Sequence, residues 1–183
     1  MHRPAPRRLP GSCLLGFLLL LGVARPLPAA DLVLKDTPVH VYFSPGGGAQ
    51  AALTAAIGQA RATILVQAYS FTSAPIAGAL KAAHDRGVAV RAILDKSQRT
   101  ERYSGLTYLV HAGIPVWVDA AHPIAHDKVM VIDGRVVVTG SFNFTRAAEE
   151  KNGENLLIIE SPALAQLYTK NWQAHLAHSD PVD

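Results

Sequence analysis

Short apolar runs rich in β-branched residues alternate along this chain with alanine-rich, amphipathic segments. The runs are "VHVYFSP", "ATILVQAYSF", "VAVRAILD", "IPVWVD" and "NLLIIE". Each is too short for a buried helix and is bounded by glycine, proline or polar turn residues, which marks it as a strand. The segments between them predict helices over about 49–60, 73–86, 106–111 and 161–175. Ser73 and Thr145 are placed as N-caps, Gly87 as a helix stop, and Pro162 in a first helical turn. Strands alternating with helices restrict the fold to an α/β/α sandwich, with helices on both faces of a mixed, largely parallel sheet. Residues 31–183 read as one domain, without repeats or low-complexity linkers.

The first thirty residues are set apart. Arg3, Arg7 and Arg8 precede an unbroken apolar run from Leu14 to Val23, and small residues follow up to Ala30. This is the layout of a secretory signal peptide, with a run too short to span a bilayer comfortably. The expected destination is the periplasm or the medium, with no membrane insertion after cleavage. The leader also biases the net charge. The chain carries 17 basic and 14 acidic side chains, but removing Arg3, Arg7, Arg8 and Arg25 leaves 13 against 14. Attraction to a polyanion must then come from a local patch. The single cysteine, Cys13, lies within the leader, which excludes disulfides, thiol nucleophiles and thiolate metal sites from the remainder.

The chemistry concentrates in "HDKVMVIDGRVVVTGSFNFT", residues 126–145. Alternate strand residues share a face, so His126 and Lys128 leave the same side, and Asp133 falls on the other. Asp133-Gly134 is a favoured two-residue hairpin turn. Gly140 allows a close approach by backbone or ligand, and Ser141 and Asn143 follow with a hydroxyl and an amide. A charge, a donor and a nitrogen able to attack or carry a proton suit a phosphate or phosphodiester.

His126-x-Lys128, four residues, Asp133, six residues, Gly140-Ser141-x-Asn143 resembles the HKD motif of the phospholipase D superfamily at every spacing. Flanking stretches such as "ILVQAYSFTSAPIAGAL" and "YTKNWQAH" extend the resemblance to the small bacterial Nuc-type endonucleases. It implies that histidine attacks phosphorus, that a second histidine protonates the leaving oxygen, and that no metal or other cofactor is required. His126, Lys128, Asp133 and Glu154 form the implied catalytic set. Glu154 would orient an imidazole, and Asp133 would organise its turn without touching phosphorus. Ser141 and Asn143 are the implied substrate-side groups, with Ser141 hydrogen-bonded within the site as a supporting partner. This chain has one His-x-Lys, so the resemblance implies a homodimer with the site on its two-fold axis. One imidazole must then be neutral and the other charged, titrating as a coupled pair.

Substrate class stays open between nucleic acid and phospholipid. The compact chain, the single motif and the loop "KSQRTERYSG" favour a nuclease acting on DNA or RNA. In that loop Lys96, Arg99 and Arg102 would follow a phosphate backbone and Tyr103 would stack on a base. A phospholipase D and a catalytically silent nucleic-acid-binding module are the alternatives. Tyr69 reads as core rather than as lining of the site. His122 and His126 are four apart, yet Pro123 breaks any helix between them and zinc is not expected there. Gly46–Gly48 reads as a turn, not a phosphate loop. His175 and His178 are expected to be solvated.

Overall fold

The computed structural model describes residues 29–182; the expected leader lies outside them except for Ala29 and Ala30. Eight strands form one sheet in the order β1-β7-β6-β5-β2-β3-β4-β8. The strands are β1 Val39–Ser44, β2 Thr63–Ala68, β3 Ala89–Asp95, β4 Val116–Asp119, β5 Lys128–Ile132, β6 Val136–Gly140, β7 Glu154–Glu160 and β8 Asp180–Val182. The α-helices are α1 Ala49–Gln59, α2 Ala74–Asp85, α3 Leu106–His111, α4 Arg146–Glu150 and α5 Pro162–Leu176, and a 3₁₀ turn spans Lys96–Arg99. The expected caps are formed: Ser73 and Thr145 accept from the N–H groups of Ile76 and Ala148, and Ser161, before the expected Pro162, caps α5 by accepting from the Leu164 N–H.

The sheet is mixed and covered on both faces, as the alternating pattern predicts, but its balance differs. Only β2-β3 and β3-β4 pair in parallel; the other five pairings are antiparallel. The expectation of a largely parallel sheet fails because the tight turn between β5 and β6 can only reverse the chain, β7 returns antiparallel to β6, and β1, β2 and β4 each take an antiparallel neighbour distant in sequence. The strand β8 was not anticipated: three residues including a proline give no alternating pattern, and it pairs only with β4 at the edge.

The main core lies on one face, where Leu53, Ile57, Ile76, Leu80 and Leu109 pack on Ile64, Val66, Leu94 and Met130. On the other face α5 covers Val129, Val131 and Val137 through Ala165, Leu164 and Tyr168. Trp172 anchors this helix, its indole N–H donating to the Val66 carbonyl at 2.9 Å. The cover does not reach β1, where Val39, Val41 and Phe43 share one face and are 44%, 50% and 64% exposed.

The hairpin between β5 and β6 turns at Asp133 and Gly134, with φ of 52° and 62°, the two positive values of a type I′ turn. Asp133 also reaches across to β2: its carboxylate accepts from the N–H groups of Arg61, Ala62 and Thr63 at 2.8–2.9 Å. Burial pushes this carboxyl up, but the three N–H donors outweigh it and hold it below the ordinary range. A depressed folded pKa stabilises the fold above the usual carboxylate range, and the stabilisation is lost as pH falls through the lowered value. Asp133→Asn is expected to cost about 2 kcal/mol at neutral pH and to flatten the acid limb of the stability curve. Urea melts of both proteins at pH 7 and pH 3 measure this; an undiminished acid limb in the variant would refute it.

Candidate active site

The C-terminal ends of β2, β3, β4 and β6 and the N-terminal ends of β5 and β7 lie along one edge of the sheet. That edge collects the polar side chains. Lys128 opens β5 opposite Ala68. It is 8% exposed, and its ammonium donates to the His126 carbonyl at 2.8 Å. Burial pushes its pKa down, and the negative charges of Asp127 and Glu154 only partly offset this. A bound phosphoryl group would supply the missing counter-charge.

The His126 ring is exposed, and no hydrogen bond to it forms among the described residues. Its neighbour is Tyr69, whose ring centroid lies 4.6 Å away and 5.1 Å from the Lys128 ammonium. Tyr69 is therefore half-buried site lining between the two motif residues, not the core residue expected. Two further groups fix the backbone here. Asp95, 2% exposed, accepts from the Ala125 N–H at 2.7 Å, immediately before His126. Asp127 accepts from the Gln67 amide at 2.9 Å and its carbonyl from the Tyr69 N–H at 2.8 Å.

The stretch Ser141-Phe142-Asn143-Phe144 alternates by design of its packing. Phe142 and Phe144 are fully buried, which turns Ser141 and Asn143 the other way. Ser141 donates to Glu154 at 2.6 Å and accepts from the Asn155 backbone and side-chain nitrogens at 3.0 and 3.3 Å. One donor and two lone pairs are then all engaged, so Ser141 holds Glu154 and has nothing left for substrate. The second Glu154 oxygen accepts from Asn152 at 3.1 Å. Asn143 differs: its buried side-chain oxygen has no partner among the described residues, a polar atom left for a ligand or its water. Gly140 admits backbone rather than ligand, since an added Cβ would lie 2.3 Å from the Asn155 carbonyl oxygen.

Asp133 stands at the far end of β5 from Lys128, its carboxylate committed to three N–H groups. That end also bears a groove of about 540 Å³ lined by His40, Arg61, Arg135 and Glu160. The motif residues that share the polar edge are His126, Lys128 and Asn143, with Ser141 and Glu154 behind them.

The basic loop extends the edge. Gln98 is 3% exposed and accepts from Phe71 N–H and Ser104 hydroxyl, pinning the loop beside β2. This leaves Lys96, Arg99 and Arg102 exposed, with Tyr103 74% exposed and 5.3 Å beneath the Arg102 guanidinium. The Lys96 ammonium donates to the His122 carbonyl at 2.9 Å. His175 and His178 are not solvated: both reach Asp119. No helix among the described residues is long and apolar enough to cross a membrane.

Comparison with known proteins agrees with this geometry. A family model described as cardiolipin synthase, PLD-like domain, matches residues 53–176. The chain is 42% identical over 139 residues to phospholipase D of Rickettsia conorii, an alignment covering 76% of this chain and 70% of the relative. The crystal structure of Nuc from Salmonella typhimurium, a phospholipase D family member, superposes with a TM-score of 0.77 at 41% identity, covering 80% of this chain and 99% of that one. NucT from Helicobacter pylori gives 0.75 at 26% identity, over 80% and 100%. A motif whose histidine, lysine and asparagine meet at one sheet edge, within a fold and a sequence shared this widely, leaves one assignment: the chain belongs to the phospholipase D superfamily and is one of its phosphodiesterases.

Proposed function

We propose that this phosphodiesterase is an exported nuclease that works as a two-fold homodimer, with residues 1–30 as its leader and 31–183 as its catalytic domain. The observation that carries the reading is an unbonded, exposed His126 beside a buried Lys128, present once per chain. A ring nitrogen of one His126 attacks phosphorus and forms an N–P bond as the O–P bond to the leaving group breaks. The second subunit's imidazole gives its proton to the departing oxygen. It then takes a proton from water, which attacks phosphorus and breaks the N–P bond. Lys128 and Asn143 hold the phosphoryl oxygens. Glu154, positioned by Ser141, favours the charged imidazole. Catalysis by this route needs no metal. The uncovered face of Val39, Val41 and Phe43 beside the site supplies apolar area for the second subunit.

Nucleic acid is favoured by the exposed Lys96, Arg99 and Arg102 with Tyr103 among them, a cationic rim carrying an aromatic platform. A phospholipase reading is favoured by Ile124, 55% exposed two residues before His126, and by the name of the rickettsial relatives. One preparation assayed on DNA, RNA and phosphatidylcholine vesicles in EDTA separates the two. The expected result is a kcat/KM at least about 100-fold higher on nucleic acid, weakened steeply by salt. Faster turnover of vesicles would overturn the substrate assignment.

A further inference from the structure

At the other end of the catalytic edge four chelating side chains converge. Asp119 closes β4 with its carboxylate wholly buried. His122 follows three residues later, His175 lies in the last turn of α5, and His178 sits just before β8. The Asp119 Oδ2 faces His175 Nδ1 at 2.8 Å, His122 Nδ1 at 3.0 Å and His178 Nε2 at 3.3 Å. The three ring centroids are 4.9–5.2 Å apart, and all four donor atoms lie within 4.8 Å of one another.

Hydrogen bonding alone accounts poorly for this. The Asp119 carboxylate would have to take three imidazole N–H groups and the Ala121 N–H, with His122 Nδ1 shared between Oδ2 at 3.0 Å and Oδ1 at 3.2 Å, so every lone pair of one buried carboxylate is engaged and three imidazoles crowd around it. A central cation changes the balance: each imidazole offers a lone pair instead of a proton, and the buried carboxylate neutralises charge directly. Zinc bonds of 2.0–2.1 Å separate tetrahedral ligand atoms by about 3.3 Å, against 2.8–3.3 Å between Asp119 and its partners and at most 4.8 Å across the whole set. Shifts of a few tenths of an ångström at Asp119, with the imidazoles closing on one another, would reach that geometry.

We propose that Asp119, His122, His175 and His178 bind one divalent transition-metal ion, zinc by ligand set and geometry. Four protein ligands close the coordination sphere, so the ion is a clamp and not a catalyst. Its place fits that role. It ties the end of β4 to α5, to the short edge strand β8 and to the segment running from His122 to His126, in a stretch of chain without a cysteine to cross-link it. The site stands three strands from β5, about 14 Å across the sheet, so it does not touch the phosphoryl group. His126, the partner that local spacing offers His122, takes no part.

The test uses the full-length protein without a histidine tag, stripped with EDTA and dialysed, then titrated with zinc against a chromophoric chelator. The expected result is one zinc per chain and a melting temperature raised by about 5 °C or more at saturation. His122→Ala and His175→Ala should each weaken binding about 100-fold or more, and His126→Ala should leave it unchanged. His122 is 44% exposed in its side chain, so its variant keeps the fold, which circular dichroism checks. Cobalt in place of zinc should give the intense visible bands of a tetrahedral site. No binding at 100-fold excess zinc, equal binding by the His122 and His175 variants, or loss of binding in His126→Ala would overturn the assignment.

Discussion

Replacing His126 with alanine removes phosphodiester cleavage, a fall in kcat/KM on the order of 10⁴-fold or more, with little change in melting temperature. The ring is exposed and makes no hydrogen bond among the described residues, so its removal leaves no buried group unpaired. The backbone keeps its contacts: the His126 carbonyl still accepts from Lys128, and Ala125 still donates to Asp95. In the proposed mechanism His126 is both nucleophile and its partner's proton donor and has no substitute, which is why a large loss is expected. The same variant tests the dimer. If a site needs one His126 from each subunit, equal parts of wild type and variant, allowed to exchange, retain about one quarter of the activity, because only wild-type pairs work. Independent subunits would retain about one half, and that result would refute the shared site. Undiminished cleavage by the variant alone would sink the nucleophile assignment.

Local signals served the sequence reading well. The hairpin at Asp133-Gly134, the caps at Ser73 and Thr145, the Pro162 helix start and the His-x-Lys spacing all depend on residues a few positions apart, and all stand in the structure. What escaped depends on distance. Asp119 meets His175 and His178 across 56 and 59 residues, and no periodicity in a helix end and a polar tail announces that meeting. Tyr69 continues an apolar run and reads as core, because only the β2-β5 register brings it against His126 and Lys128. Ser141 hydrogen-bonds within the site as expected, but that all its partners lie on β7 emerges only from the fold. The sheet's antiparallel balance was missed for a related reason: β1-β7, β2-β5 and β4-β8 pair strands far apart in sequence, so their direction depends on the whole topology and not on a local connection.

Gly140→Ala is expected to be among the most damaging single-methyl additions, about 3–4 kcal/mol, because two costs coincide. Its φ of 147° lies where side-chain-bearing residues are strained. The new Cβ would also stand 2.3 Å from the Asn155 carbonyl oxygen and 2.9 Å from that residue's Oδ1. Trimming Asn155 to alanine relieves only the second contact, so Asn155→Ala should not rescue the variant. The backbone carbonyl cannot retreat freely either, since it accepts from the Ser141 and Phe142 N–H groups at 3.1 and 3.2 Å. Relief therefore spreads β6 from β7 at the point where Ser141 holds Glu154. Thermal melts should show a fall of about 10 °C, and the protein still folded at lower temperature should lose activity beyond the folded fraction. A melting temperature within about 2 °C of wild type would show that the two strands separate easily here. The close β6-β7 approach would then not be what sets Glu154 and Asn143 around the proposed site.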